Sequence, residues 1–148
     1  MQKEKPMHVN LAHARTEEQM AVMVQIVHDG VCPFCQEHFL KYHPKPILKK
    51  GAHWLVTENA FPYNGARVHL LFVYLQHIVL PPAESDHLSE LFELITWARK
   101  EYGIRGGTLL LRFGETRYNG ASVDHLHAHL VVGDADKPDH KGVRVKVG

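Results

Sequence analysis

The run Asn119-Gly120-Ala121-Ser122-Val123-Asp124-His125-Leu126-His127-Ala128-His129-Leu130-Val131-Val132 decides how this chain is read. Three histidines at i, i+2 and i+4 alternate with apolar residues, an aliphatic run follows, and Gly133 ends it, which is the period of a strand. Side chains at this spacing share one face, so the imidazoles stand roughly 6–7 Å apart while Leu126, Ala128 and Leu130 face a core. On a helix His127 would point almost opposite to the other two. Imidazole titrates near neutrality and offers both a nucleophilic nitrogen and a donor N–H, so such a row suits anionic or metal chemistry. Thirteen histidines in 148 residues bring some together by chance, and paired histidines on strands are often only solvated. Three on one face, bordered by Leu, Ala, Leu and Val-Val, form a sharper pattern.

The length fits one domain, and 45% hydrophobic residues are enough for a core. Seventeen Lys and Arg against sixteen Asp and Glu leave no bulk field favouring a nucleic acid polymer or an anionic membrane, so any nucleotide binding must be local. No apolar run reaches the roughly 18–20 residues of a membrane span, and no hydrophobic signal core follows Met1-Gln2-Lys3-Glu4-Lys5-Pro6, so a cytoplasmic protein is expected. Cys32 and Cys35, the two cysteines, are too close for an ordinary structural disulfide, and in a reducing compartment they suggest metal or redox work.

Along the chain, residues 1–15 have no period and are expected to be loosely ordered, ahead of a single domain over 16–148. Thr16-Glu17-Glu18-Gln19 reads as a capping box, and Met20, Met23, Val24 and Val27 continue it as a helix over about 17–28, ended by Asp29-Gly30. A tight turn presents Cys32 and Cys35. A short helix is expected over Gln36–Tyr42, stopped by Pro44 and Pro46. Strands are expected over His53–Thr57, over the apolar run His69–His77, which is of the kind buried on both faces, and over Thr108–Phe113, with a fifth over Val143–Val147. Between the second and third lies a long helix with Ser85 as N-cap, Arg99 and Lys100 in its last turn, and a stripe of Leu88, Leu91, Phe92, Ile95 and Ala98. Leu94 and Trp97 widen that stripe, which points either to a subunit partner or to further cover for the sheet. Gly114–Gly120 reads as a loop. The order argues for an α+β fold: an antiparallel sheet of about five strands, with the long helix and the short N-terminal helix packed on one side.

His125-Leu126-His127-Ala128-His129-Leu130-Val131 resembles the signature His-φ-His-φ-His-φ-φ, φ apolar, of the histidine triad (HIT) superfamily of nucleotide hydrolases and transferases. The resemblance covers roughly Cys32 to Gly133. Cys32-Pro33-Phe34-Cys35 is similar to the Cys-x-x-Cys that precedes the sheet in many members, and His69 and His77 bracket the apolar strand at the family's separation. Asn59-Ala60-Phe61-Pro62-Tyr63-Asn64 and Asp124-His125-Leu126-His127 look like the branch acting on dinucleoside polyphosphates. Three departures stand out. The family's Gly-His becomes the longer Ala66-Arg67-Val68-His69, its proline after the strand is replaced near Leu75, and its phosphate-binding Asn or Gln falls near Arg112 to Glu115.

The resemblance implies a nucleotide hydrolase in which His127 attacks an α-phosphorus to form a nucleotidyl-histidine that water then breaks, with no catalytic metal required. His129 would donate to the phosphate oxygens, and Ser122 would orient or protonate the leaving group. A histidine at the third triad position, where the phosphorylase and transferase branches carry Gln, favours hydrolysis. Asn59 is expected to contact a ribose, and Phe61 or Tyr63 to wall the base or join the core. Asn119 and the amides around Gly120, Ala121 and Ser122 are further substrate-binding candidates. By family position Cys32, Cys35, His77 and His125 would hold a structural zinc, while His125 is also a candidate for the phosphate pocket. The rival for the cysteines is thiol redox chemistry, which lacks a thioredoxin-like context here. A homodimer is expected from the family. The alternatives are a transferase or phosphorylase of the same superfamily, or a non-catalytic nucleotide- and zinc-binding module.

Overall fold

Capping chemistry starts the first helix of the computed structural model, which describes residues 4–148; Met1–Lys3, the beginning of the segment expected to be loosely ordered, lie outside the described residues. The Thr16 hydroxyl accepts the Gln19 amide at 3.0 Å while the Gln19 side chain reaches back to the Arg15 amide at 2.8 Å. Helix α1 then runs Glu17–Asp29 and ends on Gly30, which at φ 69° takes the left-handed cap that glycine adopts without strain. Helix α2 spans Gln36–Tyr42. Strands β1 (Ile47–Lys50), β2 (Trp54–Glu58) and β3 (Ala66–Tyr74) follow, then helix α3 (Ser85–Glu101), strand β4 (Thr108–Arg112), a one-turn helix α4 (Thr116–Asn119) and strand β5 (His127–Gly133). Residues 4–15 make specific contacts: Val9 is buried and bridges Val123, and Asn10 donates to the Ser122 carbonyl.

Among the described residues five strands form one antiparallel sheet in the order β1-β2-β3-β5-β4. The count matches expectation, but the fifth strand is β1, not Val143–Val147. That C-terminal stretch alternates in sequence yet pairs with no strand. Its backbone is held near α4 instead, where the Lys146 carbonyl accepts from Arg112 at 3.1 Å. The central strand β3 begins at Ala66 and ends at Tyr74, so His77 lies beyond it in a turn. The expected loop 114–120 contains α4, and the N-cap of α3 is Glu84, one residue before Ser85, with no side-chain cap bond.

Both faces of the sheet are covered, contrary to the one-sided expectation, because β3 is apolar on both sides and bare backing on either would expose it. Leu70, Phe72 and Tyr74 of β3 and Leu126, Ala128, Leu130 and Val132 on or just before β5 pack with Leu91, Leu94 and Ala98 of α3. Leu71 and Val73 face the other way, onto Phe39 of α2. A third cluster joins Met23 and Ile26 of α1 to Val9, Cys32 and Val123. Leu94 is thus a core residue, and Trp97 packs against the same cluster with the Lys49 ammonium over its ring at 5.4 Å. Leu94 and Trp97 thus cover the sheet, whereas Phe92, expected in the same stripe, is 60% exposed and lies outside the cluster. No helix among the described residues is long and apolar enough to cross a membrane.

Candidate active site and metal centre

Alternation on β5 sends Leu126, Ala128 and Leu130 into the core under α3 and leaves His127 and His129 on the opposite face. There they meet a cavity of about 220 Å³ roofed by residues 9–15 and α1, with Ser122, Arg15, Arg112 and Tyr63 also on its walls. Val22, Met23, Phe34 and Leu71 give it apolar walls as well. A cavity with both charged and apolar walls has the character of a small-molecule site.

The hydrogen bonds set the two imidazoles in opposite tautomers. His127 Nδ1 lies 2.6 Å from the His125 carbonyl, which can only accept, so the proton sits on Nδ1 and Nε2 keeps its lone pair. A relay sets the other ring. The Tyr63 amide donates to His69 Nδ1 at 3.0 Å, so neutral His69 carries its proton on Nε2 and donates to His129 Nδ1 at 2.8 Å. His129 therefore carries its own proton on Nε2. Burial lowers the pKa of His127 to about 4 and pushes His129 well below the ordinary range, with neighbouring His127, His69, Arg112 and Arg15 adding to the effect on His129. Both rings are neutral near pH 7, one with a free lone pair on Nε2 and its neighbour with an N–H there. Their centroids are 5.1 Å apart.

Arg112, read in sequence near the end of a strand and where the family's phosphate-binding Asn or Gln would fall, stands directly opposite His127 in the β4–β5 register and is buried. Its guanidinium donates to the Asn119 carbonyl, to the Tyr63 hydroxyl at 3.0 Å and to the Lys146 carbonyl; it pairs with no carboxylate among the described residues and projects a positive field on the site. Arg15 adds a second cation, 4.7 Å over the Tyr63 ring and bonded to the Phe61 carbonyl. Its signal in sequence was faint: one arginine just ahead of a helix cap. Asn59 and Phe61 line the cavity; Asn59 Oδ1 accepts the Phe61 amide at 2.8 Å and its Nδ2 lies 3.3 Å from His69 Nε2. Tyr63 stacks over His129 at 5.7 Å, which places it in the site rather than in the core.

Two expectations change. Asn119 does not line the cavity: its amide bonds the Phe113 carbonyl and the Ala121 N–H at 2.8 Å each, holding the turn. The amides of Gly120 and Ala121 are likewise engaged, with Thr116 and Asn119, so neither is aimed at an anion. Gly120 lines the cavity and has φ 74°, and a Cβ there would meet the Lys146 carbonyl at 2.6 Å, so glycine is required.

His125 precedes β5, and its ring turns away from the cavity toward the cysteines. Cys32 Sγ and Cys35 Sγ lie 3.4 and 3.8 Å from His125 Nδ1, and His77 Nδ1 is 3.4 Å from Cys35 Sγ and 3.3 Å from His125 Nδ1. A tetrahedral zinc with its usual bond lengths separates such atoms by about 3.4–3.7 Å, so the four groups already stand near ligand spacing. His125 Nε2 donates to the Tyr74 carbonyl at 2.6 Å, which leaves Nδ1 as the ligand nitrogen. Burial pushes the Cys32 thiol up to about 12, so as a free thiol it would be a poor redox nucleophile, while a bound cation would draw out the thiolate.

Two further histidines tie stability to pH. Burial lowers His69 and His43 to about 4, against an ordinary value of 6.5. Unfolded chains then bind more protons than folded ones between those values, so stability is full above pH 6.5 and falls as pH drops toward 4. For well-buried His69 the loss is of order 2–3 kcal/mol. Urea midpoints measured from pH 7 to 4.5 check this, and His69→Asn should flatten the slope; an unchanged slope would refute the assignment.

No protein-family model and no curated protein matches the sequence. Solved structures do. A histidine triad protein from Clostridium difficile is 26% identical, with a TM-score of 0.56 over 70% of this chain and 90% of its own. A HIT family hydrolase from Clostridium thermocellum is 23% identical, TM-score 0.57, over 73% and 95%. A Zn-bound histidine triad family protein from Mycobacterium smegmatis is 20% identical, TM-score 0.53, over 77% and 82%. Together with the triad on the inner strand β5, they show that this chain belongs to the histidine triad superfamily.

Proposed function

We propose that the chain is a nucleotide hydrolase that cleaves the α-phosphate bond of nucleoside phosphate conjugates or dinucleoside polyphosphates. The observation that carries this reading is the pair of opposite tautomers in one cavity, His127 with a free Nε2 and His129 with a proton on Nε2. His127 Nε2 attacks the α-phosphorus, a P–N bond forms, and the P–O bond to the leaving group breaks. Ser122, on the cavity wall, delivers or steers the proton that the departing oxygen takes up. His129, Arg15 and Arg112 stabilise the charge that gathers on the phosphoryl oxygens. Water then breaks the P–N bond, releases the nucleoside monophosphate and restores His127.

Two cations on the cavity wall, Arg15 and Arg112, favour a substrate with more than one phosphate, and the apolar walls from Phe34, Phe61 and the α1 side chains suit a base. Cys32, Cys35, His77 and His125 would hold zinc as a structural tie, in keeping with a zinc-bound protein among the similar structures. The test is turnover of a dinucleoside polyphosphate and of a fluorogenic nucleoside phosphoramidate in ¹⁸O-water. Label in the nucleoside monophosphate supports hydrolysis. A nucleoside diphosphate formed on adding inorganic phosphate would mark a phosphorylase instead, and no turnover of either substrate would leave a binding module.

A further inference from the structure

We propose that Gln19 reads the edge of the nucleobase, donating from its side-chain NH₂ to a ring nitrogen or carbonyl oxygen of the base, an inference that rests on the nucleotide reading above. Gln19 stands in the first turn of α1, and the two ends of its carboxamide do different things. The Arg15 N–H meets one end at 2.8 Å. A backbone N–H can only donate, so that end is Oε1 and the other is the NH₂. The capping bond thus fixes which way the group is turned. Among the described residues the NH₂ finds no acceptor, yet Gln19 is only 9% exposed and lines the cavity that holds His127 and His129. No side-chain nitrogen or oxygen among the described residues is both sealed from solvent and without a partner, so the NH₂ opens onto the cavity. A donor in so buried a residue is costly to leave unpaired, and an acceptor within the cavity completes it.

Its neighbours on the helix decide which part of a nucleotide stands there. Gln19, Val22, Met23 and Ile26 share one face of α1 at i, i+3, i+4 and i+7, and all four line the cavity. Three are apolar, so Gln19 is the one polar position on that wall. An apolar wall with a single neutral donor fits a flat ring that carries acceptors on its rim. It fits a phosphate poorly, because the donor is uncharged and Glu17 and Glu18 occupy the same turn. The cations of the cavity wall that suit a phosphate are Arg15 and Arg112. A site that hydrogen-bonds a ligand group rejects analogues lacking it far better than an apolar wall rejects a misfit. Gln19 is therefore the source of base preference, and the residue that closes the capping box also presents the donor.

Affinities of the full chain for the four common nucleoside monophosphates and for ribose 5-phosphate test this. Gln19→Glu keeps an oxygen for the Arg15 N–H, so the cap of α1 survives, and exchanges the NH₂ for a second acceptor. Gln19→Met removes the donor without adding charge. Both variants should bind the preferred nucleotide about tenfold or more weakly. Ribose 5-phosphate, which has no base, should bind Gln19→Met as it binds the wild type and lose affinity to Gln19→Glu only through the added charge. The spread among the four bases should narrow in Gln19→Met. Equal losses for nucleotide and ribose 5-phosphate in both variants, or a Gln19→Met that binds the nucleotides like the wild type, would overturn the base contact alone. Nucleotide binding that depends on Gln19 without turnover would support the contact and remove the hydrolase, and a wild type that binds none of the nucleotides would overturn both.

Discussion

Replacing His127 by alanine should reduce kcat on a dinucleoside polyphosphate by about 10⁴-fold or more, some 5 kcal/mol of transition-state stabilisation, while nucleotide affinity changes only a few-fold. The asymmetry follows from the geometry. His127 Nε2 is the group whose proton is held away on Nδ1 by the His125 carbonyl, so it supplies the bond-forming lone pair. The cavity walls proposed to hold the ligand, Tyr63, Phe61, Arg15 and Arg112, remain. His129→Ala should cost less, roughly 10²–10³-fold, because it removes a donor and not the nucleophile. Rapid-quench experiments should trap labelled nucleotide on the wild type and none on His127→Ala. A His127→Ala enzyme that keeps a tenth of wild-type turnover would end the covalent mechanism.

Cys32→Ser should lower the melting temperature of the zinc-loaded protein by about 10 °C, from a loss of roughly 3–5 kcal/mol. The cluster joins three segments distant in sequence: the turn at Cys32 and Cys35, the turn at His77 beyond β3, and His125 at the entrance to β5. An ion there stabilises only the folded chain, so its binding free energy adds to folding. A chelator should reproduce the effect in the wild type and leave Cys32→Ser unmoved. The same cluster positions the carbonyl of His125, on which the tautomer of His127 depends, so activity should fall too, by less than for His127→Ala. Wild-type melting indifferent to a strong chelator would remove the structural role.

Local patterns carried much of this. The capping box at Thr16, the stripe of α3 and the alternation through His127 and His129 were readable because each element is set by its own neighbours in sequence. Strand β1 was not: Leu48-Lys49-Lys50 has no alternation, and as an edge strand it needs none, since its lysines face solvent. Val143–Val147 alternates and still pairs with nothing, because a strand requires a free edge in reach, and this tail is drawn to Arg112 and α4. Asn119 looked like a ligand for the same reason it is a good turn residue, its amide, and the turn claimed it.

From the amino-acid order alone came the triad, its strand and the Cys-x-x-Cys turn, because a period of two and a pair of thiols are visible without any partner. Only the tertiary structure separated His125 from His127 and His129, opposed Arg112 to His127, brought Arg15 down over Tyr63 and passed a proton relay from Tyr63 through His69 to His129. Those relations join residues as far apart in the chain as His69 and His129, 60 positions. Which nitrogen carries a proton is decided by whichever group lies within hydrogen-bonding distance, and that distance exists only once the strands have paired and the N-terminal segment has closed over them.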